Sequence, residues 1–337
     1  MAGKKPYIAV VLIQFLFTGM AILSKVAFDG GMNTFVFVFY RQAIAAVFLT
    51  PMAIFFERTA PPLPFKLLIK IFMLSLFGLT INLNMSNIGI KYTSATVASA
   101  IANTIPVITF FLAVLLRIEI VKLKSLSGIA KVIGVSICIA GIMFVAFYKG
   151  PQLKSFSHEH PIILVPSNNN ISDTKSRNIW MKGTFLVAGA AIAWSLYMVL
   201  QGFIIREYPS TLLFTASATL FSTFQSFLVA IVFERNMSSW KLHWDEGLLA
   251  VAYNGIFVTG IAMYLQSWCI NKKGPVFVAM SIPLSLVITI ACTSIFLGEE
   301  IKLGSVIGGA LMVGGLYSVL WGKSREQKVS KANAEVG

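Results

Sequence analysis

Apolar residues in this chain come in long blocks, not in the alternating or amphipathic patterns of soluble strands and helices. Ten blocks reach about the 20 residues that a helix needs to cross a bilayer. They predict membrane-spanning helices at 7–27, 34–56, 67–88, 95–116, 126–148, 181–203, 211–233, 247–270, 276–297 and 303–321. The fold class this implies is all-α, a polytopic membrane protein. The first block follows Lys4, Lys5 and Pro6 and lacks an A-x-A cleavage pattern, so it reads as a retained helix and not as a signal peptide. One connection is long, from Lys149 to Trp180. It is rich in Pro, Ser, Asn and His, a composition that predicts poor order.

That connection divides the chain into halves that match each other. FFER at 55–58 and VFER at 232–235 close the second and seventh blocks at an offset of 177, and Pro106 and Pro283 share it. At an offset of 180, RIEIVKLKSLSG at 117–128 aligns with LGEEIKLGSVIGG at 297–309 and pairs Glu119 with Glu299. A repeat of five helices is odd in number, so its second copy enters the membrane the opposite way round. The expected organisation is a first repeat at 1–148, an outer loop at 149–180, an inverted second repeat at 181–321 and a basic cytosolic tail at 322–337. Inverted repeats place a binding site at the bilayer midplane and permit alternating access, which makes transport the leading functional reading.

Composition sharpens this picture. Of 337 residues, 57% are hydrophobic and 12% charged, with a mean hydropathy of +0.80, against about 25% charged in soluble domains. A soluble enzyme, a disordered chain and a disulfide scaffold are excluded. Cys138, Cys269 and Cys292 all fall within apolar blocks, where they act as small hydrophobes. The net charge of +14 would suggest nucleic acid in a soluble protein. Here the basic residues flank apolar blocks without a recognition motif, so they read as topology signals and no nucleic-acid partner is expected. With the N-terminus inside, 15 of the 27 Lys and Arg lie on the inner side and nine on the outer, which places both termini in the cytosol.

None of the 13 Asp and Glu falls inside a block, so the carboxylate relay of proton-coupled carriers is missing and facilitated transport is favoured. The cations within blocks are Lys25, Arg41 and Lys131. Lys131 is read as snorkelling to the cytosolic interface, and Lys25 either as snorkelling or pairing with Asp29 or as joining Arg41 in attracting a substrate carboxylate. Arg41 either bonds helix-end carbonyls or holds an anion such as a substrate carboxylate through its bidentate fork. The remaining candidates for a polar cavity are Gln14, Asn84, Asn87, Asn103, Trp194, Gln201, Tyr264 and Gln266. Interhelical hydrogen bonding is the structural alternative for each. Pro106 and Pro283 are expected to kink their helices, either where backbone lines a substrate site or for structural reasons alone. Gly128, Gly134 and Gly141, with Gly304, Gly308 and Gly315, read as packing faces within the monomer or a homodimer. His158, His160 and His243 assemble neither a metal site nor a catalytic set, so no enzyme, cofactor or metal is expected.

The runs FVFYRQAIAA at 37–46, KYTSATVASAIANTIPVITFFLAVL at 91–115, KKGPVFVAMSIPLSLV at 272–287 and LGEEIKLGSVIGGALMVGGLYSVLWGK at 297–323 occur in this order. Through them the chain resembles the plant nodulin-21-type, EamA-domain members of the drug/metabolite transporter superfamily, the group of the UMAMIT facilitators and the walls-are-thin-related proteins. The resemblance spans about residues 5–323. It implies two EamA repeats and the export or bidirectional movement of amino acids, with auxin or another organic anion as the alternative cargo. It also implies a plant-cell address, the plasma membrane ahead of the vacuolar membrane. The multidrug relatives use a glutamate on their first helix; here Gln14 is the strongly polar residue in the membrane half of that helix, so their proton-coupled mechanism is not carried over. An intramembrane enzyme or receptor is the reading from another class.

Overall fold

The computed structural model describes residues 5–92, 101–119, 125–148, 152–153, 173–208, 210–242, 244–296 and 301–336. The side chains of Lys25, Asp29 and Lys91 lie outside this description, as do Glu299, His243 and most of the long connection with His158 and His160. The architecture is helical, with one two-residue antiparallel pairing of β1 (Gln152–Leu153) and β2 (Ile301–Lys302).

Eight helices among the described residues are long and apolar enough to cross a membrane: Lys5–Phe28, Thr34–Phe56, Phe65–Gly89, Leu126–Phe144, Trp180–Glu207, Thr211–Phe233, Glu246–Lys273 and Val306–Glu326. The expected fourth and ninth spans are absent from this set. The described part of the fourth is α5 (Ile105–Leu115), preceded by a turn at Asn103 and Thr104. The ninth divides into α11 (Pro275–Ala279) and α12 (Ile282–Phe296) around a turn at Met280 and Ser281. Pro106 and Pro283 were expected to kink continuous helices; instead each stands in the first turn of a new one. Proline is tolerated there because its missing N–H has no intrahelical partner to lose. The two turns lie at the same offset of 177 as the prolines.

The chain packs as two compact units, each drawing on both halves of the sequence. The first comprises residues 1–102 and 165–278. It holds α1 (Lys5–Asp29), α2 (Thr34–Phe56), α3 (Phe65–Ser75), α4 (Asn82–Tyr92), α7 (Asp173–Glu207), α8 (Thr211–Phe233), α9 (Glu246–Tyr253) and α10 (Met263–Lys273). Helix starts carry side-chain caps that satisfy orphan N–H groups. Asn33 accepts from Phe35 N at 2.8 Å, Ser210 from Leu213 N at 3.1 Å and Asp245 from Leu248 N at 3.1 Å. α2 packs on α8, α4 on α7, and α1 on α9 and α10.

Two helices of this unit widen into π-helical segments, Leu76–Ile81 between α3 and α4 and Asn254–Ala262 between α9 and α10. Such segments insert a residue into the helical register and are frequent at functional sites. The second lies against α2. A Cβ built on Gly255 would stand 2.7 Å from Ile44, and one on Gly260 would stand 2.9 Å from Phe48, so glycine is what lets the two backbones approach.

The second unit comprises residues 103–164 and 279–337 and contains α5, α6 (Leu126–Phe147), α12 and α13 (Leu303–Val336). α6 and α13 run antiparallel and nearly touch. A Cβ on Gly315 would stand 2.5 Å from the Gly134 carbonyl oxygen, and one on Gly141 would stand 2.8 Å from that of Gly308. Four of the predicted glycines are thus the contact face of one intramolecular helix pair. α13 continues without a break from its apolar part through the expected tail.

Candidate functional site

The polar residues of the first unit gather where α2, α8 and the two π-helical segments meet. Arg41 is 8% exposed, and its Nε donates to Thr259 Oγ1 at 2.7 Å. Thr259 lies in the π-helical segment that Gly255 and Gly260 bring against α2. Among the described residues no carboxylate lies within ion-pair distance of the guanidinium, and its Nη groups make no other hydrogen bond. The two Nη groups, the part of the fork that grips a carboxylate, are left open.

Beside it runs a directed chain of hydrogen bonds. Gln42 Nε2 donates to Ser222 Oγ at 3.1 Å, and Ser222 Oγ and Thr80 Oγ1 lie 3.1 Å apart. Thr80 Oγ1 donates to Gln225 Oε1 at 2.9 Å, and Gln225 Nε2 to the Phe72 carbonyl at 3.1 Å. Because the Thr80 hydrogen is committed to Gln225, the Ser222 hydroxyl supplies the proton between the two. The chain ends at Gln42 Oε1, a buried acceptor without a partner. Nearer the C-terminal end of α7, Gln201 Nε2 donates to Ser267 Oγ at 2.6 Å, which donates to the Met263 carbonyl at 2.8 Å. Gln201 Oε1 and Gln266 Nε2 are likewise buried without partners.

The other expected residues divide between these clusters and plain packing. Gln14 is buried on α1. Asn84 turns back on its own helix, donating to the Thr80 carbonyl at 2.8 Å, so its amide serves the π-helical segment. Asn87 is half-buried. Trp194 stacks on Tyr197 with ring centroids 5.3 Å apart, and Tyr197 packs over Gly78 of the first π-helical segment. Tyr264 packs on the apolar cluster of Leu49, Ala53, Leu212 and Ala216. Asn103, buried in the turn before α5, belongs to the second unit. Reading the sequence missed Gln42, Thr259, Ser222 and Gln225. A signal for part of this existed: Thr211, Thr215, Thr219, Ser222 and Ser226 recur at helical spacing and form one buried face of α8.

The second unit contains a different polar feature. Lys131 does not snorkel to water as expected. It is 2% exposed, with Nζ 3.1 Å from Glu119 Oε2 and also paired with Glu326, while Lys323 pairs with the other oxygen of Glu119. The reason is that Glu119, just past the fourth block, and Glu326, from the extension of α13, supply carboxylates to Lys131. Burial alone would push the Glu119 carboxyl up; Lys323 and Lys131 outweigh it and hold the group below its ordinary value.

The EamA-like transporter family matches this chain over residues 4–147 and again over 181–321. The chain is 51% identical to a WAT1-related protein of Arabidopsis thaliana, over 98% of this chain and 93% of that relative. It is 36% identical to Protein WALLS ARE THIN 1 of the same plant, over 96% and 84% of the two. A protein of known crystal structure shares the fold with a TM-score of 0.63 at 16% identity, covering 96% of this chain and 98% of that one. With eight apolar spans among the described residues, two family matches and WAT1-related relatives along nearly its whole length, this chain is an integral, multi-pass membrane protein that belongs to the EamA-like transporter family.

Proposed function

We propose that this protein carries small carboxylate-bearing metabolites, amino acids foremost, by alternating access, as a bidirectional facilitator or exporter. In this reading ten spans form two inverted copies, the termini are cytosolic and the plasma membrane is the site of action. The observation that carries it is Arg41: a buried guanidinium held by Thr259 through Nε, with both Nη groups open and no acid beside it among the described residues. A bidentate carboxylate is the ligand such a fork fits best. The matched segments 4–147 and 181–321 contribute Arg41 and Thr259 respectively, as an inverted-repeat carrier requires of its binding residues.

A second reading, an organic-anion carrier for auxin-like acids, draws on the same residue, because one cation without a paired acid also matches a monoanion. The test is efflux of labelled leucine and labelled indole-3-acetate from proteoliposomes containing the full chain. Movement of leucine that Arg41→Ala strongly slows at equal incorporation supports the amino-acid reading. Movement of indole-3-acetate alone supports the second. An unaltered rate in Arg41→Ala removes the arginine from the mechanism.

A further inference from the structure

We infer that this carrier exchanges carboxylates across the membrane much faster than it moves them one way, because Arg41 makes the empty carrier costly to close. The inference rests on the proposed carboxylate site. Arg41 sits in the second apolar block, which contains no acid, and Thr259 contacts only its Nε. While the site is open to one side, water solvates the two Nη groups. Closing the empty site strips that water and leaves a guanidinium facing groups that cannot neutralise it: among the described residues its one polar partner is a hydroxyl. Closing a loaded site buries a bidentate ion pair instead. An uncompensated buried charge is penalised far more than a paired one, so the return of the empty carrier is the slow step and the loaded carrier crosses freely in either direction.

Charge and geometry separate in this scheme. The charge of Arg41 sets the preference for exchange, and its planar fork, aligned by Thr259, sets the affinity. Unlabelled substrate on the far side therefore accelerates efflux of labelled substrate by about tenfold or more, equivalent to about 1.36 kcal/mol per decade of rate.

The measurement uses proteoliposomes holding the full chain, with whichever of leucine and indole-3-acetate the wild type moves. Efflux of the label is followed into empty buffer and into buffer containing the same unlabelled compound. We expect strong acceleration in the wild type. Arg41→Lys keeps the acceleration with a raised KM, since the charge stays and the fork is lost. In Arg41→Gln the two rates converge. The carboxamide of the probe, leucinamide or indole-3-acetamide, gives no acceleration from the far side, and this arm needs no variant to fold. Equal efflux with and without far-side carboxylate in the wild type overturns the inference while leaving the proposed function standing. Acceleration that persists in Arg41→Gln, or that the carboxamide reproduces, overturns it as well. If neither probe moves at all, the proposed function itself has failed.

Discussion

Replacing Glu119 by Gln removes one charge from a set of four whose centre, Glu119 and Lys131, is buried. Glu119 is 9% exposed and carries Lys131 on one oxygen and Lys323 on the other. In the variant Lys131 keeps Glu326, but Lys323, 12% exposed, loses its carboxylate. Breaking a buried pair costs about 3–5 kcal/mol, most of it from the charge left behind. Because Glu326 is 36% exposed and still adds some field, the lower end applies, about 3 kcal/mol. At about 2–4 °C per kcal/mol, Tm falls by roughly 6–12 °C. Thermal unfolding of the purified protein in detergent, followed by tryptophan fluorescence, measures this. The double variant Glu119→Gln/Lys323→Met leaves the balanced pair Lys131–Glu326 and recovers most of the loss. A single variant within about 1 °C of wild type would refute the reasoning, and so would a double variant no better than the single one.

The same residue sets a pH window. Its carboxyl is held below the ordinary value of 4.5, so folding favours the charged form. The contribution is complete above that value and is lost as pH falls through the lowered folded value. The gap in Tm between wild type and Glu119→Gln is therefore constant from pH 8 to pH 5 and closes below about 4.5.

Three further outcomes follow from the packing. Gly315→Leu forces α13 off α6, since a Cβ there would meet the Gly134 carbonyl at 2.5 Å and Cys138 Sγ at 2.6 Å. A loss of about 3 kcal/mol or more, seen as a broadened size-exclusion profile, is expected, whereas Gly314→Ala, with nothing within 4 Å, leaves the profile unchanged. Thr259→Val removes the acceptor of Arg41 Nε, a bond worth about 1–3 kcal/mol when a buried charged donor is orphaned, so KM for the carboxylate rises by about tenfold or more. Thr259→Ser restores it. Lys70→Ala breaks the ion pair with Glu207, but both side chains are 49% exposed; Tm changes by no more than about 4 °C, as the median surface pair contributes about 0–1 kcal/mol.

Long apolar blocks made most of the spans legible, because the length of a bilayer crossing is a property of composition alone. Interruptions of a block are not visible that way. Between Ile101 and Leu115 the polar pair Asn103 and Thr104 is too short to divide an apolar block, and Pro106 stands after the break it marks. The π-helical segments are silent for the same reason: an inserted residue leaves hydropathy unchanged. The partners of buried charges are hard to read where they are remote in sequence. Glu326 lies 195 residues from Lys131, and Thr259 lies 218 residues from Arg41. The partner of Asn84, by contrast, is local: the Thr80 carbonyl, four residues distant on its own helix.

The two halves of the chain differ at the point where charge enters. α2 and α8 each have 23 residues and begin 177 positions apart, and Thr80 and Thr259 lie 179 apart in the two π-helical segments. On the inverted-repeat reading, each π-helical threonine meets the second helix of the other copy: Thr259 meets α2, and Thr80 meets α8. The position of α8 related to Arg41 is Ala218, and the partners of Thr80 there are the neutral Ser222 and Gln225. One crossing therefore holds a cation and the other a chain of neutral hydrogen bonds. Two cations at related positions would suit a dianion such as a phosphate ester and would double the charge to be desolvated on closure. A single guanidinium suits one carboxylate, and the neutral crossing lets the same scaffold pack tightly at its other half without a second anion to complete it.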